Sequence, residues 1–224
     1  MSLRGTPAWR ACILAATTVI VMAAPSQAMA HPHAWIDVEV QVRFDSAARI
    51  AALRMTWLFD EIYSAYVTQG LTFSGADAID ARRSGRILAV MMKNLARFHY
   101  MTRAEAGTEA MEFGAPTESA IAFKGRRLEL SFTLPFATPV PSREVPVAYS
   151  VYDPTYYIEM LHAEDAGAIR LVNAPADCRY TLHPPQPDPA RVREAAALDR
   201  TQSAGNGLGV FFAERVTIRC DRPR

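Results

Sequence analysis

The sequence predicts an α+β protein, built mostly of antiparallel β-strands with one major helical segment. Strict alternation of apolar and polar residues over positions 36–44 predicts a half-buried strand. Apolar residues at helical spacing over positions 76–98 predict the major helix. Near the end of the chain, Cys178 and Cys220 predict a disulfide that staples the C-terminal strand to its neighbour.

The first thirty residues have the three parts of a secretory signal peptide. Arg4 and Arg10 precede an apolar run over residues 11–24, and the segment ends in the small-residue pattern Ala28-Met29-Ala30. The apolar run is shorter than the roughly 20 residues that span a bilayer. We therefore expect cleavage after Ala30, and a periplasmic mature protein that does not span a membrane.

The charge balance excludes some classes of partner. Removal of residues 1–30 would take away two of the 24 basic residues and none of the 23 acidic ones, so 22 would face 23. With no basic excess, the composition does not favour nucleic-acid binding. Half of all residues are hydrophobic, and residues 31–224 suit a single domain. The prolines and polar residues near positions 184–208 predict a flexible segment within it.

The cysteines favour a disulfide over a metal site. Cys12 lies in the predicted signal peptide, which leaves Cys178 and Cys220. A disulfide between these two residues, which are 42 positions apart, would stabilise the folded protein by about 4 kcal/mol in the chain-entropy model. The alternative is a pair of soft metal ligands. It is less favoured because neither cysteine has another cysteine or a histidine at zinc-site spacing.

The opening strand is predicted to form a hairpin with a second strand over residues 53–59. The second strand ends at Asp60 and Glu61, where a helical stretch over residues 62–69 begins. Acidic residues in a first helical turn suit the helix dipole, so capping is one explanation of both carboxylates.

Further strands dominate the rest of the chain. Residues 119–123 and 128–134 predict a second hairpin, whereas the four prolines of residues 135–146 predict a loop or an irregular edge. The remaining predicted elements are strands over residues 98–102, 147–151, 156–160, 168–172, 178–182 and 216–220, and a short helix over residues 190–200.

A candidate metal site lies at the predicted mature terminus. After cleavage, the amino group and imidazole of His31 would form a bidentate chelate, with the imidazole of His33 as a third nitrogen. Pro32 has no amide proton, which excludes a chelate through two deprotonated backbone amides and leaves a histidine brace. Such donors suit Ni, Co, Cu or Zn. The alternative is that the two histidines simply begin an exposed strand.

A brace leaves coordination positions open, and a carboxylate is a common further ligand. Asp60, Glu61 and Asp153 are the best candidates because each lies at the end of a predicted strand. The tyrosines Tyr152, Tyr156 and Tyr157 are candidates for a pocket wall around Asp153, and ordinary strand packing is the alternative. Weaker ligand candidates are the remaining histidines: His99, His162 and His183.

Five segments, in this order, carry a resemblance to a known family: HPHAWID (residues 31–37), WLFDEIYS (57–64), FTLP (132–135), YDPTYYI (152–158) and FAERVTIRC (212–220). Together they resemble the bacterial periplasmic family catalogued as domain of unknown function 1007, over nearly all of the mature chain. Members are often labelled periplasmic components of an ABC-type transport system and are commonly encoded beside nickel/cobalt-type permeases. The resemblance implies a metal-handling accessory protein, brings no established catalytic residues, and favours Asp60 and Asp153 as ligands.

The leading hypothesis is a binding protein, not an enzyme, that captures or delivers a transition-metal ion for an inner-membrane metal permease or ABC-type transporter. The sequence has no glycine-rich phosphate loop and no nucleophile elbow. Two alternatives stay open. One is a copper-dependent oxidative enzyme that uses the same brace, and the other is a structural or interaction module without a metal.

Overall fold

Two β-sheets share one hydrophobic core. A computed structural model of the protein describes residues 32–69, 81–198, 205 and 207–221. The first sheet has six strands and the second has five, and buried residues of both belong to the same core. The predicted α+β class, with mostly antiparallel pairing, is confirmed.

The elements follow one another in a fixed order. The strands are β1 (Ala34–Phe44), β2 (Arg49–Phe59), β3 (Thr102–Ala106), β4 (Glu109–Ala110), β5 (Thr117–Lys124), β6 (Arg127–Pro141), β7 (Val147–Val151), β8 (Ile158–His162), β9 (Ile169–Val172), β10 (Cys178–His183) and β11 (Arg215–Cys220). The helices are α1 (Glu61–Val67), α2 (Ala81–Ala96) and α3 (Pro189–Ala197), and short 3₁₀ turns lie at His99–Met101 and Gly209–Phe212. The strand predicted over residues 98–102 was therefore wrong, because the chain turns there and β3 begins only at Thr102.

Strand β1 organises the first sheet. It pairs antiparallel with β2 along one edge, as the hairpin prediction requires. Along its other edge it pairs in parallel with β8, where Ala34 lies opposite Ile158, and then with β9, where Val40 lies opposite Ile169. The order β5-β6-β2-β1-β8 results, with β9 also beside β1. The parallel pairing brings the beginning of β1 next to the beginning of β8.

In β1, the apolar residues of the alternating sequence are buried and the residues between them are more exposed. The inner side chains, exposed by at most 4%, are Ile36, Val38, Val40, Val42 and Phe44. They face the core because successive side chains of a strand point to opposite sides of the sheet. Trp35 on the outer face is 47% exposed. The strand therefore presents its odd-numbered residues to solvent.

The second sheet has the order β10-β11-β7-β3-β4. Cys178 and Cys220 lie directly opposite each other on the antiparallel strands β10 and β11, and they are joined by a disulfide. The predicted pairing is confirmed, and the disulfide fixes the register of the last strand.

The helices lie against the first sheet and its edges. Helix α2 presents Leu88, Met91 and Met92 to the core and buries Leu95. It ends at Ala96, two residues before the predicted end, and residues 76–80 of the predicted helix lie outside the described part of the chain. Among the described residues, no helix is both long enough and apolar enough to cross a membrane.

Two alternatives were predicted for residues 135–146, a loop or an irregular edge, and the loop was wrong for the first half of this range. Strand β6 continues through Pro135 as far as Pro141. Pro135 lies opposite Ala52, directly beside a register shift between Ile50 and Ala52. A proline has no N–H to donate, and such an irregularity is a place where a sheet tolerates it. The proline count therefore marked a bulge within a strand.

A tight backbone contact near the C-terminus generates the first prediction. A Cβ atom added to Gly209 would lie 1.8 Å from the carbonyl oxygen of Asp153. The amide of Gly209 also donates a hydrogen bond to the carbonyl of Pro154. Gly209→Ala must therefore push two backbone segments apart, and we expect it to lower the free energy of unfolding by about 3 kcal/mol.

Urea unfolding measures this loss, and Gly85→Ala is the matched control. A Cβ on Gly85 meets nothing within 4 Å, and its place in the middle of α2 should make alanine stabilising by up to about 1 kcal/mol. Equal stability of the Gly209→Ala variant and the wild type would contradict the close approach.

Candidate functional site

Three segments far apart in sequence meet at one end of the first sheet. The amide of His33 donates to the carbonyl of Tyr157 at 2.9 Å, just before β1 and β8 begin. The amide of Trp35 donates to Asp60 Oδ2 at 2.9 Å, and the amide of Asp60 donates to the Trp35 carbonyl at the same distance. We call His33, Trp35, Asp60 and Tyr157 the His33 cluster. It unites residues from three of the segments on which the family resemblance rests.

His33 is held from two directions within this cluster. Its backbone is tied to Tyr157, and its imidazole centroid lies 4.7 Å from that of the Tyr157 ring. The imidazole is half-buried. Pro32, before it, has a fixed φ that restricts the approach of the chain. His31, the first residue of the predicted brace, lies outside the described residues.

Asp60 connects the cluster to helix α1. Its Oδ1 accepts a hydrogen bond from the Tyr63 amide at 2.8 Å, which is the usual contact of a helix N-cap. Its Oδ2 accepts the bond from Trp35. Capping, one of the two explanations drawn from the sequence, therefore describes what Asp60 does here. An ionised carboxylate has about four acceptor positions, so two bonds leave room for a cation.

Asp153 differs from Asp60 because its acceptor capacity is used by its own loop. The residue is only 4% exposed. Its carboxylate accepts from the backbone amides of Thr155, Tyr157 and Ile158 at 2.9–3.0 Å, and from the Thr155 hydroxyl at 2.9 Å. These bonds shape the turn that brings Tyr157 to His33. The geometry makes Asp153 a positioning residue and leaves Asp60 as the more available carboxylate.

The other three predicted site residues lie apart from one another. Glu61 is exposed and forms an ion pair with Arg126 at 3.5 Å. The amide of Tyr152 donates to the Met101 carbonyl. Tyr156 is 5% exposed and stacks on Phe212 with ring centroids 3.9 Å apart. Its burial raises the pKa of the Tyr156 phenol. Packing, the alternative named above, describes Tyr156 in this structure.

A buried hydrogen-bonded chain that the sequence did not reveal joins the two sheets. His162, at the end of β8, lies with Nδ1 2.8 Å from Glu214 Oε2 and Nε2 3.1 Å from the Tyr149 hydroxyl. The same carboxylate accepts from the His162 amide. Tyr149 is 1% exposed. Glu214 lies in one of the family segments, which was the available signal, but its partner histidine is 52 residues away.

The environment of this chain shifts two pKa values in opposite directions. Burial raises the pKa of the Tyr149 phenol well above its ordinary value, and the nearby Glu214 charge adds to the rise. Burial would also raise the pKa of Glu214, but hydrogen bonds from the His162 side chain and backbone outweigh it and lower that pKa. Glu214 therefore stays ionised to a lower pH than an ordinary glutamate.

The remaining histidines lie elsewhere. His183 Nε2 is 3.2 Å from the Thr217 hydroxyl in the second sheet, and His99 is exposed in the turn after α2. Across residues 32–69, 81–198, 205 and 207–221, no three or more His, Cys, Asp and Glu side chains form a group that could hold a metal ion. A metal site at the His33 cluster would therefore depend on His31.

Apolar side chains are exposed around the same end of the sheet. Trp35 and Tyr157 are 47% and 39% exposed, and Ile62 and Tyr66 on α1 are 79% and 74% exposed. Both Tyr66 and Tyr157 lie near enough to contribute to the raised pKa of Tyr63, of which burial is the main cause. Exposed apolar groups concentrated in one region are typical of an interaction surface.

Comparison with known proteins identifies the family. The model of the family described as "Protein of unknown function (DUF1007)" matches residues 16–220. The chain belongs to this family. The match confirms the family assigned from the five sequence segments, while the transport role that the resemblance implies stays a prediction. The match begins inside the predicted signal peptide.

The chain is also similar to a protein of known sequence from another organism. An uncharacterized protein of Haemophilus influenzae is 26% identical over 196 residues, which are 86% of this chain and 92% of the relative. The similarity therefore extends over most of the length of both proteins.

The hydrogen bonds that join Glu214, His162 and Tyr149 predict that the stability of the protein depends on pH. The folded-state pKa of Glu214 lies below its ordinary value of 4.5. The ionised Glu214 carboxylate therefore contributes its full stabilisation above pH 4.5, the ordinary pKa. This stabilisation is lost as the pH falls through the lower pKa of the folded state. We expect Glu214→Gln to be less stable than the wild type near pH 7, and the difference to shrink on acidification to about pH 3.

Urea unfolding at a series of pH values measures this effect. Glu61→Gln is the control, since Glu61 is exposed and its ion pair should contribute little. Tyr149→Phe keeps the contact between His162 and Glu214 and should retain the pH dependence. Parallel pH profiles for Glu214→Gln and the wild type would contradict the assignment.

Proposed function

We propose that the protein is a periplasmic accessory protein that binds a divalent transition-metal ion for a membrane transporter. The nitrogen ligands are the amino group and imidazole of His31, which becomes the mature N-terminus, and the imidazole of His33. The observation that supports this most directly is the His33 cluster. There His33 is hydrogen-bonded to Tyr157, and Asp60 is hydrogen-bonded to Trp35, two residues after His33 in the sequence. The predicted terminus lies two residues before His33 in the sequence.

A second histidine that is already fixed favours chelation by the pair. The hydrogen bond to Tyr157 and the ring contact with it restrict His33 before any metal arrives. Pre-organisation of one ligand reduces the entropy that the remaining ligands lose on binding. The proline between the two histidines acts in the same direction, because its φ is fixed.

Asp60 is the proposed oxygen ligand. Its carboxylate is half-buried and keeps acceptor capacity after its two backbone hydrogen bonds. Asp153 would not bind the metal but would position Tyr157, because its hydrogen bonds form the turn that contains Tyr157. A set of nitrogen donors with one carboxylate suits Ni, Co, Cu or Zn, with affinity alone favouring Cu(II).

The transporter partner is proposed to dock on the exposed apolar side chains around the site. Trp35 and Tyr157 flank His33, and Ile62 and Tyr66 extend the apolar area along α1. Aromatic residues are enriched at the centres of protein interfaces. A partner bound there would cover the metal, as transfer of an ion between two proteins requires.

The first metal prediction concerns the terminus and His33. Calorimetric titration of the processed protein with Cu²⁺ and Ni²⁺ should show one tight site, with intact mass confirming that the chain begins at His31. One additional residue before His31 should weaken binding about 100-fold or more, because the chelate loses its α-amino group. His33→Ala should weaken it by more than the roughly 10- to 100-fold typical of a lost second-shell partner.

His183→Ala is the matched control, since His183 lies on the second sheet, and it should bind as the wild type does. If the extended and processed proteins bind with equal affinity, the brace is refuted. Equal affinity of His33→Ala and His183→Ala would remove His33 from the site.

A second metal prediction separates the two aspartates. Asp60→Asn keeps a good N-cap residue but removes the negative charge, so it should weaken metal binding more than it changes the unfolding temperature. Asp153→Asn should do the reverse, because three backbone amides depend on that buried carboxylate. Calorimetry and thermal unfolding of both variants measure the contrast, and unchanged metal affinity of Asp60→Asn would exclude it as a ligand.

The same titration tests the enzymatic alternative. A copper-dependent oxidative enzyme would bind copper in preference to nickel and cobalt, and the loaded protein would consume oxygen when a reductant is added. Tight binding without that consumption favours the transport role. Absence of metal binding by every form of the protein leaves the structural or interaction module.

A further inference from the structure

A cavity lies on the inner side of the sheet, behind the His33 cluster. It measures about 130 Å³, is partly open to solvent, and is lined by α1, α2 and the adjoining ends of β1, β2 and β8. Its lining includes Trp57, Met91, Met101 and Ile158. A cavity of roughly 150 Å³ with an apolar lining can hold a molecule the size of benzene. This space is slightly smaller, so its occupant would be a small ring or a short alkyl chain.

A buried donor without an acceptor lies in the wall of this cavity. Trp57 is fully buried, and its indole Nε1 has no hydrogen-bond partner among the described residues. Leaving such a donor unsatisfied costs about 1–3 kcal/mol, and buried polar groups in folded proteins are seldom left so. The cost would be recovered if a bound molecule offered an acceptor to the indole N–H.

Two further lining residues can donate hydrogen bonds. Tyr63, on α1, contributes a phenol O–H to the lining. Asn94, on α2, contributes an amide. The cavity thus combines an apolar lining with donors that have different geometries.

The charge of the lining limits the class of ligand. None of the described residues that line the cavity has an ionised side chain, so a carboxylate or phosphate would lose its hydration without a cation in return. An uncharged acceptor, such as the oxygen of a ketone, ester or amide, carries a much smaller desolvation cost.

We propose that this cavity is a binding site for a small uncharged organic molecule with an apolar body and a hydrogen-bond acceptor, and that the acceptor binds the indole N–H of Trp57. The site is independent of the proposed metal function. It lies on the inner face of the sheet that carries the His33 cluster on its outer face, and it shares no ligand residue with the proposed metal site.

The test uses the indole N–H signals of the ¹⁵N-labelled protein, with Trp57→Phe identifying the Trp57 signal. Cyclohexanone is the probe, and methylenecyclohexane, which has the same shape and no oxygen, is the comparison ligand. We expect cyclohexanone to move the Trp57 proton signal downfield in a saturable way. It should bind about tenfold more tightly than methylenecyclohexane, as one hydrogen bond predicts.

Two variants of α2 locate the binding site. Leu95→Phe adds volume at a buried position of the cavity lining and should abolish the shift, whereas Val90→Phe, at a position 59% exposed on the same helix, should preserve it. If Leu95→Phe does not fold, nuclear Overhauser contacts from cyclohexanone to the methyl groups of Met91 and Met101 in the wild type provide the location. Metal titration of Leu95→Phe should be unchanged, so the two proposals can fail separately.

Three results would overturn the proposal. The first is a Trp57 signal that does not respond to cyclohexanone, as expected if the cavity holds water alone. The second is equal affinity for the two ligands, which would deny the hydrogen bond. The third is a shift that Leu95→Phe leaves intact or contacts that avoid both methionines, which would put the ligand elsewhere.

Discussion

The rest of the structure depends on the backbone hydrogen bonds that β1 forms along both of its edges. One edge holds β2 in an antiparallel hairpin, and the other holds β8 and β9 in parallel. The inner side chains of β1 belong to the core shared by both sheets. Because its outer face stays in solvent, one strand supplies both the apolar packing and the exposed His33 cluster. A shift of register by one residue would exchange these two faces.

Two polar arrangements position the elements around this strand. The Asp153 carboxylate organises the turn before β8, and the close contact of Gly209 with Asp153 holds that turn against the C-terminal segment. The chain from Glu214 through His162 to Tyr149 connects the end of β8 to the second sheet. Asp153, His162 and Tyr149 are buried and each forms a hydrogen bond through its side chain, which is the condition under which polar groups stabilise a core.

Much of the fold could be predicted from local patterns. The alternation of apolar and polar residues predicted β1 and β2, and apolar residues at helical spacing predicted α2. The two cysteines predicted the disulfide between β10 and β11. Each of these signals is contained in a short stretch of sequence or in a single pair of residues. The parallel contacts of β1 with β8 and β9 could not be predicted, since period-2 patterning specifies a face and not a partner. The strand through Pro135 was missed because proline content does not distinguish a loop from a bulge.

The site was predicted unevenly for the same reason. His33 and Asp60 were singled out from their places at strand ends, and the structure brings their segments together. The role of Asp153 depends on donors that become available only once the turn has formed. The pairing of His162 with Glu214 joins residues 52 positions apart, and no local pattern encodes such a distance. The orphaned Trp57 donor is likewise invisible until the packing around it is known.

The parallel contact between β1 and β8 also determines when the His33 cluster can exist. His33 emerges among the first residues of the described chain, but Tyr157, which fixes it, follows more than half of the 224 residues later. Contacts of such large sequence separation form slowly, because the intervening chain must be ordered first. His33 is thus the first residue of the cluster to be synthesised, and it is positioned only after Tyr157 has followed. During synthesis this chain has the ligands of the proposed site without their arrangement, and the arrangement appears only with the completed sheet.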